Sequence, residues 1–76
     1  MEFRFVEWYN DIYIVLGQGY DQRIDPPDIF ICILLENQSI YRTIINPPGL
    51  IKIPISEAIE ITEKKRLLAI WALFGG

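Results

Sequence analysis

Asp28-Ile29-Phe30-Ile31-Cys32-Ile33-Leu34-Leu35 is the stretch on which the fold turns. In an extended chain, successive side chains point to opposite faces. Ile29, Ile31, Ile33 and Leu35 then share one face, and Phe30, Cys32 and Leu34 the other. Both faces are apolar, so this strand is expected near the middle of a sheet with cover on both sides. A sheet of about five strands carrying one short helix has cover for one face only. The other face needs a second chain, closure of the sheet into a barrel, or a sheet coiled strongly enough to fold partly over itself.

Upstream, residues 2–9 alternate. Phe3 and Phe5 point one way; Glu2, Arg4, Val6 and Trp8 point the other. Asn10-Asp11 reads as a turn and residues 12–16 as a second strand, giving a hairpin. Residues 17–27, with Gly17, Gly19 and Pro26-Pro27, read as a loop, because glycine and proline punctuate regular structure. Downstream, Glu36-Asn37-Gln38 reads as a turn and residues 39–45 as a strand, completing a hairpin over 28–45. Asn46-Pro47-Pro48-Gly49 suits a type II turn. Residues 50–55 alternate again, with Ile51, Ile53 and Ile55 on one face; Pro54 marks an edge strand.

The last twenty residues admit two readings. Leu67, Ile70, Trp71 and Phe74 fall at i, i+3, i+4 and i+7, one face of a helix. Thr62 would cap it, Glu63 would lie in its first turn, and Gly75-Gly76 would end it. Its start could lie as early as Ser56. Alternatively, residues 58–62 and 66–74 form two strands around a charged turn and close the sheet. The Ala- and Leu-rich composition favours the helix. The expected fold is α+β: a small antiparallel sheet of about five strands with a C-terminal helix on one face. A small all-β barrel is the alternative.

The chain has 76 residues, 51% of them hydrophobic and 22% charged, and a formal net charge of −3. That length gives one domain at most, burying only about 60% of its unfolded surface. Cys32 is the only cysteine and there is no histidine, so neither an internal disulfide nor a zinc site is expected. The acidic balance disfavours nucleic acid and anionic membranes, both of which call for surplus Lys and Arg. The start, Met1-Glu2-Phe3-Arg4, lacks the pattern of a secretion signal, and no apolar run approaches the roughly 20 residues of a membrane span. A cytoplasmic location is expected.

Candidate chemistry is thin. Asp21, Asp25 and Asp28, with Asp11, match no calcium-loop spacing, and Asp favours turns for its own reasons. Gly17-x-Gly19 lacks the third glycine and the helix of a phosphate loop. Cys32 has apolar sequence neighbours and reads as a core thiol. Lys64-Lys65-Arg66 follows Glu57, Glu60 and Glu63, which offset it. No catalytic, cofactor-binding or metal-binding residue is assigned, and no cofactor is expected. Trp8, Tyr9, Tyr20, Tyr41 and Arg42 are the candidate partner-binding residues, because Trp, Tyr and Arg anchor protein interfaces. The expected function is a non-enzymatic protein-interaction module, acting as a homo-oligomer or as an accessory or inhibitory subunit. A single-stranded nucleic-acid-binding barrel using the aromatic hairpin is the alternative.

Overall fold

The computed structural model describes residues 3–75; Met1, Glu2 and Gly76 lie outside them. Five strands form one antiparallel sheet: β1 (Arg4–Trp8), β2 (Asp11–Tyr20), β3 (Asp28–Leu34), β4 (Ile51–Pro54) and β5 (Ile59–Glu60). Two helices complete it, α1 (Ile40–Ile45) and α2 (Lys64–Phe74). The strand order is β4-β3-β2-β1-β5. The fold is therefore a small α+β unit with an open sheet, and the barrel alternative does not form.

The two-sided strand β3 sits between β2 and β4, and both of its faces are covered. On one face, Ile33 and Leu35 join Phe5, Ile14, Ile40, Ile61 and Ile70 in a core sealed by Leu67, Trp71 and Phe74 of α2. On the other, Phe30 and Cys32 join Val6, Tyr13 and Ile53, with Ile55 and Ala58 against them.

No second chain is needed for that second face, which corrects the strongest argument for a partner made from the sequence. In a flat sheet the outer strands β4 and β5 would stand about 19 Å apart, four spacings of about 4.8 Å. Residues 55–58 alone join them. Even fully extended, five steps of chain reach only about 17 Å. They are not extended: the N–H groups of Glu57 and Ala58 both donate to the Pro54 carbonyl. The sheet must therefore coil, and the joining segment lies over its concave side. The Arg4 guanidinium on β1 stands 5.2 Å from the centre of the Phe30 ring on β3, two strands away. Trp8 Nε1 donates to Glu57 Oε1 at 3.2 Å, tying β1 to the joining segment.

Four local expectations need correction. Residues 39–45 form no strand: residues 40–45 are helix α1, and β4 occupies the edge of β3 that a 28–45 hairpin would have used. Ser39 caps α1, its Oγ accepting the Arg42 N–H at 3.2 Å. Ile40 and Thr43 are buried at i, i+3, so burial overrides the β preference of branched residues. Residues 17–20 are not loop but the end of β2, paired with Asp28, Ile29, Phe30 and Ile31 across a bulge at Leu16. The first hairpin turns at Tyr9-Asn10 rather than Asn10-Asp11, since Trp8 pairs with Asp11. Both central residues take positive φ, 49° and 67°, as a type I′ turn requires. Finally, Glu63 and not Thr62 occupies the cap position of α2, with no side-chain bond to the helix. The helix starts at Lys64 because residues 59–60 are held as a strand beside β1.

Candidate protein-interaction surface

The helix α2 turns Leu67, Ile70, Trp71 and Phe74 to the sheet, the face expected from the sequence. Its opposite face carries Leu68, Ala69, Ala72 and Leu73, all exposed, with Leu73 77% accessible. The helix is thus apolar all round through its last two turns. Helices of that kind ordinarily lie between two layers. Beside it, α1 exposes Tyr41 and Ile45. The Tyr41 ring stands 6.1 Å from Trp71 and 6.1 Å from Phe3, edge-on to Phe3. A groove of about 520 Å³ continues this region where Phe3, Phe5, Leu67 and Trp71 meet Arg4 and Glu60. Its charged groups already pair with each other.

The five candidate residues do not converge on one site. Trp8 and Tyr9 sit together at the β1–β2 turn, rings 4.8 Å apart and edge-on. Trp8 is half-buried against the concave core, whereas Tyr9 stands 77% exposed. Tyr41 and Arg42 are neighbours on α1, on the helical side of the sheet, and both are exposed. Tyr20 is exposed at the far end of β2 from the Trp8–Tyr9 turn. Tyr41 alone lies against α2, and it does so at Trp71 on the sheet-facing side. The outer face of α2 was missed, although its signal is plain: residues 67–74 are eight apolar residues in a row, and a helix can turn only about half of them toward one sheet.

The polar candidates have structural occupations. Asp21 is buried and accepts bonds from Arg23 Nε at 2.9 Å, Arg23 Nη2 at 2.7 Å and the Arg23 N–H at 3.1 Å. Lys52 Nζ reaches it from β4 at 3.3 Å. Asp21 thus fastens the 21–27 loop to the sheet edge. Among the described residues, no three acidic, cysteine or histidine side chains gather closely enough to hold a metal ion. Burial pushes the Cys32 thiol up to about 11, so it stays protonated at neutral pH. Arg66 pairs with Glu7 at 3.1 Å.

The bonds from Arg23, helped by Lys52, hold the Asp21 carboxyl well below the usual carboxylate range. A carboxyl depressed in the folded state adds stability above its unfolded pKa of about 4, and loses it as pH falls toward the folded value. Asp21→Asn therefore lowers the urea midpoint at pH 7, and the gap from the unaltered protein closes steadily below about pH 4. An equal gap at both pH values would mean that the ionised form contributes nothing.

Comparison with protein families, with curated proteins and with solved structures found no match to the chain. Among the described residues, no helix is long and apolar enough to cross a membrane.

Proposed function

We propose that the protein is a non-enzymatic, cytoplasmic interaction module that binds another polypeptide through its helical layer, as a homo-oligomer or as an accessory or inhibitory subunit. One observation carries this reading: Leu68, Ala69, Ala72 and Leu73 form an uncovered apolar face on a helix whose other face is already in the core. Leaving such a face in water forgoes about 25 cal/mol for each Å² that a partner would cover. Of the aromatic anchors expected from the sequence, Tyr41 lies against the same helix, at Trp71. Trp8, Tyr9 and Tyr20 lie elsewhere and are secondary contacts in this reading.

A photo-crosslinking side chain placed at position 73 tests it. The control position is 22, exposed on the 21–27 loop. The reading requires a discrete protein adduct from position 73 and none from position 22. Equal or absent adducts at the two positions would sink it.

A further inference from the structure

We infer that the occupant of the outer α2 face is a second copy of this chain, its α2 lying antiparallel to the first. The inference rests on the interaction reading above and names the partner.

The first ground is spacing. Lys65, Leu68, Ala69, Ala72 and Leu73 fall at i, i+3, i+4, i+7 and i+8, a single stripe along one side of α2, and all are exposed. A twofold axis between Ala69 and Ala72 sets Leu68 of one helix against Leu73 of the other. The two alanines, with no side chain beyond Cβ, lie at the crossing point and let the helices approach closely. The stripe is thus complementary to its own antiparallel copy, which is what a twofold interface requires of a single surface patch.

The second ground is charge. A helix carries partial positive charge at its start and partial negative charge at its end, so carboxylates favour the first turn and cations the last. Apart from the Glu63 carboxylate at its cap, the helix α2 reverses this order. Its first turn carries Lys64, Lys65 and Arg66, it has no acidic residue there, and its last turn has no basic residue. Arg66 is partly compensated by Glu7. Lys64 and Lys65 have no acidic partner among the described residues. In the antiparallel pair, Lys65 stands just beyond the last turn of the opposite helix, facing carbonyl ends that are negative and without partners inside that helix. Charges that are misplaced within one chain become complementary between two. An anionic bilayer would also accept lysine beside leucine, but the net charge of −3 opposes that docking.

The test is the molar mass of the full chain by light scattering over a dilution series, together with Leu73→Glu and Lys65→Glu. The unaltered protein should show about twice 8.9 kDa at the concentrated end. Leu73→Glu should give monomer throughout. Lys65→Glu should weaken the dimer at least about tenfold while leaving the thermal midpoint of the monomer equal or higher, because a carboxylate at that position suits its own helix start. The opposed signs separate loss of the dimer from loss of the fold. A dimer indifferent to both substitutions would place the interface elsewhere and overturn the inference. Monomer at every concentration would also overturn it. If position 73 then crosslinks to a different protein, the interaction reading survives; if it crosslinks to nothing, both fall. Monomer that sediments with phosphatidylserine-containing vesicles, and not with phosphatidylcholine alone, would assign the face to lipid and overturn both.

Discussion

Phe30→Ala lowers the free energy of unfolding by about 3–5 kcal/mol, the range for truncating a buried aromatic ring. Phe30 is 3% exposed on the concave face, among Val6, Tyr13, Cys32 and Ile53. The ring also supports the Arg4 guanidinium, 5.2 Å from its centre. Removing it opens a cavity where four strands and the 55–58 segment meet. A domain of 76 residues holds roughly 4–11 kcal/mol in total, so a large share of the stability would go. Urea unfolding followed by tryptophan fluorescence measures the loss. A cost below about 1 kcal/mol would show that the concave side is not a dry core and that the coiled sheet leaves it open to water.

Ile70→Ala costs about 2–5 kcal/mol by the same mechanism on the opposite face. Ile70 is the one buried residue of α2, packed with Phe5, Ile14, Ile33 and Ile40. Its loss should also loosen the helix and disturb Trp71, whose ring lies 5.9 Å from Phe3 and 6.3 Å from Phe5. The near-ultraviolet circular dichroism signal should fall with the stability. The measurement belongs at concentrations where the chain is monomeric, so that only the intramolecular contact is read. If Leu68→Ala proved costlier than Ile70→Ala under those conditions, α2 would be seated with its faces exchanged.

Much of the fold was legible because alternation needs no knowledge of neighbours. Residues 29–35 declared both of their faces, and Pro54 declared an edge. The α2 face toward the sheet followed from the spacing of Leu67, Ile70, Trp71 and Phe74. What could not be read depended on distant parts of the chain. Ile40, Thr43, Ile44 and Ile45 are strand formers by local preference, and burial of Ile40, Thr43 and Ile44, with the Ser39 cap, makes the segment helical while Ile45 stays exposed. Gly17 and Gly19 punctuate a loop in isolation, yet the ladder to β3 keeps them extended. The two residues of β5 carry no pattern of their own; pairing with Val6 and Glu7 defines them. Coiling of the sheet was legible only as one option among three, because it follows from the shortness of the 55–58 connection once the strand order is known.

The interaction surface divides along the same line. Residue type alone points to Trp8, Tyr9, Tyr20 and Tyr41, and the structure scatters them over the turn, α1 and the far end of β2. The outer α2 face is built of leucine and alanine, which composition counts as core. Their surplus shows only when the residues are laid around a helix and its two sides are compared.

The placement of β5 beside β1 sets an order of assembly. In synthesis, β1, β2 and β3 emerge in sequence and pair as neighbours, each with the strand made just before it. The free edge of β1 then waits for residues 59–60, made some fifty residues later, and Ile61 N–H closes onto the Phe5 carbonyl. Until β5 pairs, β1 carries an unpaired strand edge flanked by Phe5 and Val6, the kind of edge another chain can join. The four-residue connection favours that closure, because once β4 has docked only a short loop is left to close.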